Sequence, residues 1–156
     1  MIDVLAPEAL SKRSAVLAVV VGGLVAGTID LLQASISFGW DIPLAIAGGL
    51  LGRRAFDGGA GTYILGIALH YFIAFSAAAI YYTASCRLVF LKESWVICGL
   101  FFGAAVDDFM RLIVLPLSAL HSHGPYELQA LLKGLCVHMV VVGLPIAYFV
   151  KRFAPR

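Results

Sequence analysis

Apolar residues fill four long stretches of this chain, and glycines, prolines and charges mark the breaks between them. Residues 14–38, 61–85, 95–117 and 127–150 are each long enough to cross a hydrocarbon core, which takes roughly 20 residues of helix. The pattern predicts an all-α fold: an integral membrane four-helix bundle forming one domain over residues 1–156, with both termini on one side. Between the first two stretches, GWDIP (39–43) breaks the chain, LAIAGGLLGRRAF (44–56) is apolar but too short to span, and DGGAG (57–61) breaks it again. A segment of that length predicts a short interfacial or re-entrant helix.

Composition agrees with the pattern. Hydrophobic residues make up 62% of the chain and charged residues 13%, against about 45–50% and about 25% in soluble domains. The first stretch follows Lys12-Arg13 but runs well past the core of a secretory signal, and no small-residue cleavage site follows it. The eleven Lys and Arg residues are scattered, with no basic block for nucleic acid. Outside the spans, Lys12, Arg13, Arg87, Lys92, Lys151, Arg152 and Arg156 lie on one side, and only Arg53 and Arg54 on the other. By the positive-inside rule both termini are expected in the cytoplasm. Cys86, Cys98 and Cys136 are far apart and odd in number, so they read as packing residues, without a disulfide or zinc framework.

The two halves also resemble each other. Gly23-Leu24-Val25-Ala26-Gly27 leads to Asp30 as Gly99-Leu100-Phe101-Phe102-Gly103 leads to Asp107. Gly66-Ile67-Ala68-Leu69-His70 matches Gly134-Leu135-Cys136-Val137-His138, and apolar sequence then runs on to Tyr81 and Tyr148. This reads as two repeated helical hairpins in parallel orientation. Residues four apart share a helix face, so Gly99, Gly103, Asp107 and Arg111 form one stripe, and Gly23, Gly27 and Asp30 a second with a small offset. Such small-residue stripes are where membrane helices approach closely, so Gly23, Gly27, Gly99 and Gly103 are candidate packing positions.

A rise of about 1.5 Å per residue puts Asp107 and His138 near mid-span. Asp30, Gln33, His70, Arg111 and Lys133 fall between there and the outer surface. These polar side chains are predicted to converge on one slab, since a lone ionisable group at mid-bilayer costs about 2.5–3.5 kcal/mol even on a lenient scale. Asp30, Gln33, His70, Asp107 and His138 are the candidate polar core or transport lining. Asp108, Arg111 and Lys133 are candidates for ion pairing or docking. Asp107 and Arg111 have the spacing of a favourable helical pair, and Asp108 is left to reach Arg111, Lys133 or a histidine.

Three roles are open to His70 and His138: packing residues hydrogen-bonded to a neighbour, proton-relay or substrate contacts beside Asp30 and Asp107, or haem or metal ligands. No spacing motivates a metal ligand set, so no cofactor is expected. His121-Ser122-His123 reads as a solvated turn leading into Gly124-Pro125, and Pro116 and Pro145 as residues near helix ends. There is no G-x-S-x-G, H-E-x-x-H, phosphate-binding glycine loop or nucleotide fingerprint. Asp107 and Asp108 stand about 100° apart around a helix and make a poor acid–base dyad. An enzyme is not expected.

AGTIDLL (26–32), GGLLGRRAFDGGAGTYILGIALHYFIAFSAAAIYY (48–82) and VLPLSA (114–119) resemble a widespread group of small, uncharacterised bacterial inner-membrane proteins with four predicted spans. The resemblance covers about two-thirds of the chain and is most specific in the middle block. It implies a helical fold in a bacterial inner membrane and no particular activity. The chain departs from that group around positions 107–111, where it has Asp107-Asp108 and Arg111 in place of the group's Tyr- or Asn-like residues. The sequence thus predicts a multi-pass protein whose polar core binds or conducts a small polar solute or proton, working through self-association. An accessory subunit docked on a larger membrane complex and a haem or metal protein are the alternatives.

Overall fold

A computed structural model describes residues 6–124 and 127–154, with side chains from Lys12 onward. Pro125 of the expected turn and Arg156 of the basic C-terminus lie outside the described residues. The chain is helical, with no strand among the described residues. In order come α1 (Ala6–Phe38), α2 (Ile42–Leu51) with a 3-10 turn (Gly52–Asp57), α3 (Ala60–Arg87), α4 (Phe90–Glu93) and α5 (Trp95–Phe109). A π turn (Met110–Val114), α6 (Leu115–Leu117), α7 (Leu128–His138), a second π turn (Met139–Gly143) and α8 (Leu144–Phe153) complete it. Three helical stretches, Lys12–Phe38, Ala60–Arg87 and Leu128–Phe153, are long and apolar enough to cross a membrane. The expected span over 95–117 is helical throughout, but it carries Asp107, Asp108 and Arg111 and is not among those three.

Helix α1 starts well before residue 14, because Ala6–Arg13 continues the helix with nothing to break it. It ends where Gly39 adopts φ 103°, a left-handed conformation that glycine accepts without a Cβ clash. Each π turn is followed two residues after its end by a proline, Pro116 or Pro145. Proline lacks the N–H of the helical ladder and its ring crowds the carbonyl four residues back, so the turn before it widens. Pro145 had been expected near a helix end. It lies instead inside the Leu128–Phe153 run, where the widened turn accommodates it.

Close approach between helices falls at glycines. A Cβ on Gly23 would strike the Phe75 ring, and one on Gly27 would press on Ala74 and Tyr71 of α3. A Cβ on Gly103 would fall on the His138 carbonyl, and Gly99 and Gly143 meet backbone to backbone. Helix α1 also packs along α8, where Gly22 faces Phe149 and Ile146. At the end where α1 begins and α8 finishes, Ala18, Ala78, Tyr81, Val142, Ile146 and Val150 form a dense core. There α3 meets α5 through Tyr81 and Phe102, whose rings stand 4.9 Å apart edge to face. Toward the opposite end α3 and α5 diverge, and Phe72, Ile73, Ala77, Val106, Met110 and Val114 line the groove between them.

Helix α2 packs against α3 at that opposite end. Its buried Pro43 sits over Gly66, where a side chain would collide with the Pro43 carbonyl. Gly48 lies against Leu120, and the Ala119 N–H donates to the Gly49 carbonyl at 2.8 Å. The small residues Ala47, Gly48 and Gly49 let α2 settle onto both the first turns of α3 and the loop after α6. Arg53 and Arg54 remain exposed beyond it.

Candidate functional site

Asp107 is 3% exposed, the only buried acid among the described residues. Arg111 grips it with two hydrogen bonds, Nε to Oδ2 at 2.7 Å and Nη2 to Oδ1 at 3.2 Å. The four-residue spacing on one helical run brings the two side chains together. From the neighbouring run, His138 Nδ1 lies 3.0 Å from Asp107 Oδ1 and 3.0 Å from the Gly134 carbonyl. Both of those oxygens are acceptors, so Nδ1 carries the proton and donates. Gly134 makes room for the assembly, since a Cβ there would collide with Arg111 Nη2. The buried carboxylate is thus both paired and hydrogen-bonded, the condition under which a charge persists away from water.

The first hairpin holds a looser counterpart. His70 Nε2 donates to the Gly27 carbonyl at 2.8 Å and comes to 4.0 Å from Asp30 Oδ2. The side chains of His70 and Asp30 are 13% and 17% exposed. Tyr71 and Thr28 share a hydrogen bond of 2.8 Å one face away and hold the two helices in register. In each hairpin, then, an acid of the first helix faces an imidazole of the second.

His70, Asp30 and His138 line one cavity of about 510 Å³. The rest of its wall is mainly apolar: Leu69, Ile73, Ala74 and Ala77 of α3, Val106, Met110 and Val114 of the α5 run, and Val142. Helix α2 roofs it with Ile42, Ala45, Ile46, Gly49 and Leu50. The cavity shares Ile73, Ala77, Val106, Met110 and Val114 with the groove between α3 and α5 and so continues sideways into it. The Tyr81–Phe102 contact and the core behind it close the far end.

The expected single slab of polar groups is divided. Asp107, Arg111 and His138 form one group and Asp30 with His70 another. Gln33 joins neither, because its Nε2 donates along its own helix to Ser37 Oγ at 2.8 Å. Asp108 and Lys133 are exposed, turned away by their positions around their helices. Lys133 lies in a shallow surface hollow with Leu128, Gln129, Leu132 and Cys136. His121 and His123 are exposed as well. Among the described residues no three His, Cys, Asp or Glu side chains gather as a metal site. The lining contributed by α2 falls in the segment for which a re-entrant, cavity-lining helix is the alternative expectation, whereas Ser122 carries no signal in the sequence. No protein-family model, curated protein or solved structure matches this chain.

Proposed function

We propose that this is a bacterial inner-membrane protein of four spans that binds a small molecule in the cavity between its two helical hairpins. The spans are α1, α3, the α5–α6 run and the α7–α8 run, with the termini in the cytoplasm. The two acid–imidazole pairs, one per hairpin, favour descent from a duplicated hairpin. One observation carries the reading: the cavity is bounded by apolar side chains almost everywhere, yet Asp30, His70 and His138 come to its wall from three helices. Ligand sites are built in this way, with a greasy enclosure and a few convergent polar groups that fix orientation. The lining favours a ligand with an apolar body over a fully polar solute. The lateral groove gives such a ligand a route from the lipid.

The test is thermal unfolding of the detergent-purified protein against a panel of small amphiphiles. Ligands that occupy the folded state raise its stability with concentration. The wild-type protein is expected to gain several degrees with a subset of the panel. Ile73→Trp, which puts an indole into the cavity, is expected to lose that gain. Equal shifts in both proteins would remove the reading.

A second reading rests on Asp108, an acid exposed on the α5 run beside exposed Phe109 and Leu112. A charge on that face favours a docking surface for a membrane partner or a second copy. Gentle extraction is then expected to yield an assembly that Asp108→Ala weakens, and an unchanged assembly would count against docking there.

A further inference from the structure

The polar wall of the cavity is one-sided in what it offers. Asp107 has its charge met by the Arg111 guanidinium. No hydrogen bond to Asp30 is made by the side chains of the described residues, and His70 Nε2 stands 4.0 Å from its Oδ2. That nitrogen spends its proton on the Gly27 carbonyl. His138 spends its Nδ1 proton on Asp107 and the Gly134 carbonyl. In the neutral imidazoles the nitrogens left over, Nδ1 of His70 and Nε2 of His138, are acceptors. Asp30 and two imidazoles, whose remaining nitrogens accept when the rings are neutral, therefore come to the cavity wall beside the Ser122 hydroxyl, which can turn either way.

We infer that the cavity takes a lipophilic organic ammonium ion, a cationic N–H head on an apolar body, with the head donating to Asp30. This deepens the binding reading above and rests on it. Charge and hydrogen-bond sense both select the head: an anion would meet Asp30 with like charge, and a carbonyl or ether head would bring acceptors to acceptors. The apolar body is selected by Leu69, Ile73, Ala77, Val106 and Met110, and the α3–α5 groove admits it sideways. The low-dielectric enclosure strengthens the pairing of the ammonium with the carboxylate, because water competes little there.

The experiment is calorimetric titration of the full chain in maltoside micelles, with protein-free micelles as the blank. The probes are phenylbutylammonium and phenylbutanol, which share a body and differ in the head. The ammonium is expected to bind the wild-type protein tighter by about thirtyfold or more, the size of effect seen when one partner of a desolvated charge pair is removed. Asp30→Asn is expected to abolish that preference. Equal affinity of the two probes for the wild-type protein, lost for both in Ile73→Trp, overturns the ammonium inference and leaves the binding reading standing. Binding of neither probe, with no member of the amphiphile panel distinguishing wild type from Ile73→Trp, overturns both. The wild-type comparison needs no variant, so it decides the matter even where Asp30→Asn fails to fold.

Discussion

Among the described residues, Arg111 supplies the only fixed positive charge paired with Asp107, and Asp107 is almost wholly buried. Arg111→Gln would leave that carboxylate with His138 as its remaining partner. Breaking a buried pair from one side costs about 3–5 kcal/mol, since the orphaned charge stays out of water. The expected outcome is a loss of that order in reversible denaturant unfolding in detergent, with much of it recovered in the double variant Asp107→Asn/Arg111→Gln. Equal stability of Arg111→Gln and wild type would show that the ion pair supports nothing. This pair was legible in the sequence because four residues is the spacing of a helical face. The split of the remaining polar residues was not. Asp108 differs from Asp107 by about 100° around the helix, and which of two adjacent acids turns inward depends on where the neighbouring run lies. Gln33 likewise had a local partner in Ser37 that depth along the membrane could not reveal.

At the scale of elements, the α5 run and the α7–α8 run are held by Gly99, Gly103 and Gly143, whose Cα atoms stand where any side chain would strike opposing backbone. Gly103→Leu is expected to force the runs apart, costing about 1–3 kcal/mol by overpacking and withdrawing His138 from Asp107. Both effects are measurable together: lower unfolding stability, and loss of the coupling between Asp107→Asn and His138→Gln in a double-mutant cycle. Undiminished stability and coupling would mean that the glycines do not set this contact. The small-residue stripes could be read from four-residue spacing, and so could the helical extent of every long stretch to within a few residues, apart from the early start of α1. The two π turns could not. Apolar periodicity looks the same through an α turn and a widened one, and only the backbone shows that Pro116 and Pro145 each follow such a turn. These turns interrupt the second hairpin and leave α1 and α3 of the first unbroken, so the halves differ in backbone even where their acid and imidazole correspond.

At the scale of the whole molecule, the chain is packed at one end and hollow at the other. The core of Ala18, Tyr81, Ile146 and Val150 closes the end where α1 begins and α8 finishes, while α2 roofs the hollow end and the divergence of α3 from α5 opens it to the side. A passage through the protein would require that core to separate, so the arrangement favours a binding site over a standing channel. The enclosure was beyond sequence reading because it depends on one pair of helices failing to touch and on a ten-residue helix folding back over the gap. The most direct test of a laterally entered binding cavity is photo-crosslinking in reconstituted membranes with a diazirine-bearing alkylamine, followed by peptide mapping. Adducts are predicted at Leu69, Ile73, Val106, Met110 and Val114, competed away by excess non-photoreactive amine. Adducts scattered over the exposed Ile64, Phe101, Leu112 and Leu117, unaffected by competitor, would contradict the account.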